Sequence, residues 1–264
     1  MPYVSVETET VSSGLLALFS GDGKRLVVVM EAFVNESGTH KGSPAVSVAA
    51  WAGAHWQWKK FLSHWGHKSF HARESKYAPL KHSLFQAIEF GELEGFTAWM
   101  NPGDYNLHTA QQFRNIMGNA YAMCTYACAI GVCKFAREKK LGKVAFIIED
   151  GQPNVAFVRE VLEHMKAKEH FGIASVATAS KKDFVQLCTA DFLAHSRTSD
   201  EEWFERLDNT GRISMARITP DALGEMSEDV TQNLEKMRHQ KLLLKKQRKV
   251  LKSQNDANAK GQTA

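Results

Sequence analysis

The stretch that most constrains the fold is residues 25–40, which read Arg-Leu-Val-Val-Val-Met-Glu-Ala-Phe-Val-Asn-Glu-Ser-Gly-Thr-His. Its first half is a nearly continuous apolar run, as is typical of a strand that is buried on both faces. The run ends in a polar turn that contains Asn35 and Glu36. A carboxylate at such a strand end is held at the edge of a rigid core, where it can serve as a metal ligand or an acid–base group. The alternative is an ordinary strand-to-turn junction with Glu36 in water.

The rest of the chain alternates further strands with helices. Residues 45–53 form a second apolar run, which predicts a strand paired antiparallel to the first. Further strands are predicted at 93–100, 143–148 and 172–178, the last of these being the final strand. Helices are predicted at 55–65, 76–89, 154–168 and 183–194, and residues 109–139 predict one long helix or two in succession. Thr219 and Pro220 are typical of an N-cap and a first helical position, so another helix is expected to begin there.

The composition indicates a protein with a substantial core. Of its 264 residues, 44% are apolar, and no apolar run approaches the ~18 residues that a membrane-spanning helix needs. Cys124, Cys128 and Cys133 lie together in one apolar segment, a spacing that fits neither a disulfide framework nor a zinc site. We therefore expect four reduced thiols in a cytoplasmic protein that has no contact with a membrane.

Three acidic residues accompany the predicted core. Glu36 ends the first strand, Asp150 follows the strand at 143–148, and Asp191 lies among apolar neighbours in a predicted helix. A buried aspartate inside a helix is costly unless it is paired, and a divalent cation shared with other carboxylates would compensate it. Carboxylate oxygens suit Mg²⁺ or Mn²⁺. The alternatives are an N-cap role, or a salt bridge from Asp191 to a lysine such as Lys182.

The order of these elements is how ribonuclease H-like nucleases assemble a two-metal site: antiparallel strands with an acid on the first, then helices, a strand ending in Asp and a helix bearing Asp. The matching segments are residues 33–40, the strand up to Gly53, Phe70-His71, residues 148–150 and residues 185–194. Together they resemble the domain of unknown function 3800 family, which is grouped with the ribonuclease H-like superfamily. The resemblance covers roughly residues 25–200.

The resemblance implies a nuclease-like domain that uses Mg²⁺ or Mn²⁺. Glu36, Asp150 and Asp191 would form the acidic site and hold the metal. The residues expected beside it are His71, which would orient water or phosphate, Glu149 and Gln186.

The chain departs from the family pattern at two positions. Asn35 stands where the family has the first Asp of its Asp-Glu-Ser-Gly strand end. An amide oxygen can ligate a cation, so Asn35 is a further candidate ligand, but it carries no charge. Gln186 and Asp191 are five residues apart, which aligns them less well on one helix face than a spacing of four would. Either Glu36 takes the place of the missing Asp as the leading acid of the site, or this chain has lost catalysis and keeps the fold for binding.

The C-terminal part of the chain is strongly basic. Residues 236–252 hold eight Lys or Arg and no Asp or Glu, although the whole chain has a net charge of only +4. Val230, Met237, Leu244 and Leu251 recur every seven residues, which is half of a coiled-coil seam. The segment is therefore a solvated helix packed by one stripe, a nucleic-acid-binding helix, or a helix that docks on a protein partner or on its own copy. The candidate phosphate-binding residues are Lys241, Lys245, Lys246, Arg248 and Lys249.

These observations predict an α/β fold: a ribonuclease H-like mixed sheet flanked by helices, with a C-terminal basic helix. The expected organisation is a lead-in with a first short strand at 1–24, the ribonuclease H-like domain at 25–218, the basic helical extension at 219–252 and a disordered tail at 253–264. The leading functional prediction is metal-dependent hydrolysis of phosphodiester bonds in RNA or DNA. The alternative is a catalytically degenerate module that binds nucleic acid or a protein partner through the basic helix.

Overall fold

A six-stranded mixed sheet forms the centre of the protein. The computed structural model describes residues 28–38, 43–66, 70–151 and 154–228, together with Gln232. The strands are β1 (Val28–Ser37), β2 (Val46–Ala54), β3 (Glu94–Met100), β4 (Lys143–Glu149), β5 (Ile173–Ala179) and β6 (Ile213–Arg217). They lie in the order β5-β4-β1-β2-β3-β6. β1, β2 and β3 are antiparallel neighbours, whereas β4 and β5 continue parallel to β1, and β6 runs parallel to β3.

Helices cover both faces of this sheet. The α-helices are α1 (His55–Trp65), α2 (Lys81–Gly91), α3 (Pro102–His108), α4 (Gln111–Met117), α5 (Ala120–Glu138), α6 (Val155–Lys166), α7 (Leu187–Ser199), α8 (Glu201–Asp208) and α9 (220–228). Short 3₁₀ helices occupy Ser75–Leu80 and Glu169–Phe171. The predicted α/β class, a mixed sheet flanked by helices, is therefore confirmed.

The alternation of side chains along β1 divides the core into two layers. Met30, Ala32 and Val34 point to the face that α5 and α6 cover, which we call the α5 face. Phe33 points to the opposite face, which α1, α2 and α7 cover and which we call the α7 face. β1 is central and buried on both sides, which explains why its sequence is a continuous apolar run.

Several predicted elements are confirmed. β1 and β2 pair antiparallel, with Phe33 opposite Trp51. In α1, the side chains at helical spacing (Trp58, Phe61, Leu62 and Trp65) are all buried. The four cysteines are free and buried. Thr219 precedes α9 and caps it as predicted, because its Oγ1 accepts a hydrogen bond from the backbone N–H of Ala222 at 3.3 Å.

The segment 109–139 is two helices, one of the two outcomes that its sequence allowed. Gly118 separates α4 from α5 with a φ of 79°, a left-handed conformation that glycine adopts without a steric penalty. Asn119 then caps α5, because its Oδ1 accepts a hydrogen bond from the backbone N–H of Ala122 at 3.0 Å.

Two structural predictions are wrong. β5 is not the last strand, since β6 follows it; β6 is an edge strand with exposed Ser214, Met215 and Arg217 and so lacks an apolar run. The helix predicted at 183–194 begins only at Leu187, because the preceding residues form a turn. In that turn Ser180 Oγ donates to Asp183 Oδ2 at 2.6 Å.

The candidate nucleic-acid-binding residues lie outside the described residues, as do residues 1–24 and 253–264. The division into domains, including the basic helical extension at 219–252, therefore stays a prediction. In the part of the chain that the structure describes, no single helix has the length and hydropathy needed to cross a membrane, and only the bent pair α4 and α5 meets these criteria when the two are taken together.

Candidate functional site

A group of polar side chains lies where β1 and β4 end, on the α7 face. β1 and β4 are parallel neighbours, with Phe33 beside Ile147 and Val34 beside Ile148. Phe33 and Ile147 belong to the core of the α7 face. Because side chains alternate along a strand, Asn35 and Glu149, two residues further on, point to this same face. With His71, Lys181 and Asp191, they form what we call the polar cluster.

The centre of the polar cluster is the ammonium group of Lys181. Its Nζ lies 3.0 Å from Glu149 Oε2 and 3.1 Å from Asp191 Oδ2, so it forms ion pairs with both carboxylates. Its third neighbour is Nδ1 of His71, at 3.2 Å. Only 4% of the Lys181 side chain is exposed, against 44% for His71. The ammonium is thus buried beneath a partly exposed imidazole.

Asp191 is bound on both of its oxygens. Oδ2 accepts a hydrogen bond from the backbone N–H of Ala72 at 2.9 Å, in addition to its ion pair with Lys181. Oδ1 accepts from Nδ2 of Asn35 at 3.2 Å. The backbone N–H of Glu36 donates to Oδ1 of Asn35 at 2.7 Å. A backbone N–H can only donate, so this contact fixes the amide with its oxygen towards Glu36 and its NH₂ group towards Asp191.

A divalent cation does not fit this donor set as it is arranged. Mg²⁺ needs several oxygen ligands directed at one point, at about 2.0–2.1 Å. The space between Glu149 and Asp191 is instead occupied by the Lys181 ammonium, and Asn35 presents hydrogen-bond donors to Asp191 rather than an oxygen. In the described ranges, no three His, Cys, Asp or Glu side chains are grouped so that they could hold a metal ion.

Glu36 lies on the other side of the sheet. It is paired with Val48 across the antiparallel ladder, and Val48 belongs to the core of the α5 face. Its Oε1 accepts a hydrogen bond from Nδ2 of Asn154 at 3.4 Å, and its buried Oε2 has no hydrogen-bond partner among the described residues. Burial raises the pKa of Glu36 to about 7, although the hydrogen bonds from Asn154 partly oppose the shift.

The expected convergence of Glu36, Asp150 and Asp191 is therefore corrected by the structure. Glu36 and Asp191 lie on opposite faces, because Glu36 is one residue beyond Asn35 and the alternation turns it away. Asp150 is exposed, and its Oδ1 accepts a hydrogen bond from the backbone N–H of Gly151 at 2.8 Å. The buried acid at this strand end is Glu149. Catalytic or metal-binding roles for the predicted residues stay predictions.

Other expectations have mixed outcomes. His71 does lie beside Asp191, with 3.9 Å between Nδ1 and Oδ2. Gln186 is fully buried and precedes α7, and neither its Oε1 nor its Nε2 has a hydrogen-bond partner in the described structure. The lysine paired with Asp191 is Lys181, whereas Lys182 is exposed. Sequence reasoning missed Lys181, because nothing in the pair Lys181-Lys182 after β5 distinguishes the lysine that is buried from the one that is exposed.

Comparison with known proteins finds only remote similarity. No protein-family model and no curated protein matches the sequence. Among solved structures, the chain is similar to one described as the PCNA:RNase HII complex from Archaeoglobus fulgidus, with 15% identity, a TM-score of 0.40 and coverage of 69% of this chain and 78% of that chain. It is also similar to ribonuclease H2 from Pyrococcus horikoshii OT3, with 12% identity, a TM-score of 0.38 and coverage of 69% and 77%.

Proposed function

We propose that this chain is a ribonuclease H-like module that binds nucleic acid without cleaving it through a divalent metal. The observation that carries the proposal is the position of Lys181, whose ammonium lies between Glu149 and Asp191. The strand arrangement supports the first part: three antiparallel strands, then parallel strands, with acids where β1 and β4 meet α7. In ribonuclease H-like nucleases, acids on the corresponding elements hold the metals.

The charges of the polar cluster argue against metal-dependent cleavage by the unmodified protein. Two-metal hydrolysis depends on carboxylates that are free to ligate the ions. Here Asn35 is neutral, and the negative charges of Glu149 and Asp191 are already offset by one buried ammonium. A metal ion could enter only if Lys181 left both carboxylates, and a buried ammonium without its partners is strongly unfavourable. The polar cluster therefore fits a role in stabilising the fold better than a role in metal-dependent catalysis.

The basic segment (residues 236–252) supports nucleic acid as the ligand. It contains eight Lys or Arg and no acid, while the whole chain has a net charge of +4, so the rest of the chain is net negative. A concentrated positive charge of this kind binds phosphates by releasing their counterions, which makes the affinity strongly dependent on salt. Nucleic acid is accordingly expected to contact the basic segment rather than the acidic body.

The test is a binding titration with labelled single-stranded and double-stranded RNA and DNA, in Mg²⁺ and in EDTA. At matched ionic strength, wild-type protein should bind no more tightly in Mg²⁺ than in EDTA, because Mg²⁺ competes for the phosphates, and it should leave the substrate intact. A variant with five basic residues changed to Gln should lose binding. For duplex DNA, the logarithm of the wild-type affinity should decrease linearly with the logarithm of the salt concentration. In the variant, the magnitude of this slope should be smaller by about 0.9 for each phosphate that is no longer neutralised. The five changed residues are Lys241, Lys245, Lys246, Arg248 and Lys249.

A matched control removes the same charge from the body of the protein. Five exposed lysines are changed to Gln, and this variant should bind nucleic acid nearly as well as the wild type. The control residues are Lys59, Lys134, Lys139, Lys143 and Lys168. Equal loss of binding in both variants, or no binding by the wild type, would refute the proposal. Cleavage that requires Mg²⁺ or Mn²⁺ and disappears in Asp191→Asn would instead support the metal-dependent nuclease.

A further inference from the structure

We infer that Lys181 is the built-in cation of the polar cluster, and that removing its ammonium group turns the cluster into a binding site for a divalent cation such as Mn²⁺. The inference rests on the proposed function in one respect, the assignment of Asn35, Glu149 and Asp191 to the acidic site of a ribonuclease H-like fold. Its test uses no nucleic acid, so its failure can be told apart from failure of the proposed function.

The first argument is geometric. Lys181 Nζ lies 3.0 Å from Glu149 Oε2 and 3.1 Å from Asp191 Oδ2, so the two oxygens are at most about 6 Å apart and flank a single point. Glu149 is the last residue of β4 and Asp191 lies in α7, so neither oxygen depends on a loop for its position. Two oxygens that bind one Mn²⁺ are somewhat closer together, which small rotations of the side chains can supply.

The second argument concerns charge. The Glu149 side chain is 8% exposed and the Asp191 side chain 15% exposed. Two buried carboxylates of the same sign are stable only if a cation compensates them or if one takes up a proton. The structure supplies that cation covalently, through the Lys181 ammonium. Without the ammonium, the negative charges of the two carboxylates are uncompensated, which favours binding of a cation from solution.

The third argument is that three groups surround the ammonium. Lys181 Nζ lies at ion-pair distance from Glu149 and Asp191, and 3.2 Å from Nδ1 of His71. Without the ammonium, Glu149 and Asp191 offer two oxygens to a metal, and Nδ1 of His71, which lies 3.9 Å from Asp191 Oδ2, has to rotate to join them. Mn²⁺ accepts carboxylate and imidazole ligands, so it is a better probe of this donor set than Mg²⁺. A lysine and a metal are thus alternative occupants of one position.

Asn35 is a fourth group of the polar cluster, and its substitution can change the number of charged ligands. In the wild type its Nδ2 donates to Asp191 Oδ1, so its oxygen does not face the cluster. Asn35→Asp would place a carboxylate oxygen there at nearly constant volume. In a background that lacks Lys181, this third carboxylate should raise the affinity for Mn²⁺ by roughly tenfold or more, since affinity at such sites follows the number of charged ligands.

The test measures Mn²⁺ binding by electron paramagnetic resonance and calorimetry, and thermal stability with and without Mn²⁺. Lys181→Met keeps the aliphatic stem and removes the charge. It should lower the melting temperature in EDTA, recover stability in Mn²⁺, and bind one equivalent of the ion. The Asn35→Asp/Lys181→Met double variant should bind more tightly. Wild type and Lys181→Arg, which keeps the positive charge, should show no saturable binding.

Two controls make the result specific. Lys182→Met changes an exposed neighbouring lysine and should affect neither stability nor Mn²⁺ binding. Adding Asp191→Asn to the double variant should abolish binding. The inference is overturned if wild type binds Mn²⁺ as tightly as Lys181→Met, or if neither variant that lacks Lys181 binds the ion. It is also overturned if these variants stay unfolded in Mn²⁺ while Lys181→Arg folds, because a metal then does not replace the ammonium.

Discussion

Nδ2 of Asn35 lies 3.2 Å from Oδ1 of Asp191, and this hydrogen bond joins the end of β1 to α7 across 156 positions of sequence. It explains why an amide at position 35 is compatible with this site. An amide can donate to Asp191 while it accepts from the backbone N–H of Glu36, whereas a carboxylate could only accept. The amide of Asn35 therefore fits both of these hydrogen bonds, which an ionised carboxylate at this position would not.

Asn35→Asp alone should destabilise the protein. The new carboxylate would replace a hydrogen bond to Asp191 by repulsion between like charges, at a cost of roughly 1–3 kcal/mol near pH 7. Urea unfolding measures the change, and the loss should shrink in acid as the carboxylates take up protons. Asn35→Ala is the control, since it removes the hydrogen bond without adding charge and should cost less. An unchanged or increased stability of Asn35→Asp would contradict the described hydrogen bond.

The neighbouring acids Glu149 and Asp150 should differ sharply in their contribution to stability. Glu149→Gln removes one of the charges that compensate the buried Lys181, and breaking such a pair costs roughly 3–5 kcal/mol. Asp150 is exposed, so Asp150→Asn should change the free energy of unfolding by less than about 0.5 kcal/mol. Paired denaturant titrations compare the two variants directly. Similar losses in both would mean that the assignment of Glu149 as the buried acid is wrong.

The contribution of Glu31 and Glu36 to stability should fall as the pH rises from about 4.5 to about 7. Burial raises the pKa of Glu31 and of Glu36 to about 7 in the folded protein, from a value of 4.5 in the unfolded chain. A raised carboxyl pKa contributes stability below 4.5, and this contribution is lost as the pH approaches 7. Each group accounts for at most roughly 3 kcal/mol.

This pH dependence can be assigned by substitution. Glu31→Gln and Glu36→Gln should each flatten the plot of unfolding free energy against pH, whereas Glu89→Gln, at an exposed position, should leave its shape unchanged. Denaturant titrations from pH 4 to pH 8 measure the slope. A slope that survives the Glu31→Gln/Glu36→Gln double variant would assign the effect to other groups.

Gln186→Met should stabilise the protein. The Gln186 side chain is fully buried, and its amide has no hydrogen-bond partner in the part of the chain that the structure describes. An unsatisfied buried polar group costs roughly 1–3 kcal/mol, and methionine keeps a similar volume without that cost. Thermal unfolding should therefore show a higher melting temperature. Gln186→Glu, which would bury a charge, should show the opposite change, and a loss of stability in Gln186→Met would indicate that the amide does have a partner.

Sequence patterns predicted the elements that are organised by burial. The apolar run before Asn35 defined β1 because a central strand needs apolar residues on both faces. The spacing of Trp58, Phe61, Leu62 and Trp65 defined α1 because one helix face packs on the sheet. β6 was not predicted, because it is an edge strand whose exposed residues form no apolar pattern.

The sequence alone therefore determined the α/β class, the strands β1 and β4 and the presence of acids at the ends of these two strands, since these follow from local apolar patterns and from polar residues that interrupt them. Only the tertiary structure decided that Asn35 and Glu149 point to the α7 face while Glu36 points to the α5 face. It also decided which lysine meets Asp191. The physical reason is that strand alternation reverses a side chain with every residue, and that Lys181 joins groups from three distant parts of the chain, so neither choice leaves a local pattern.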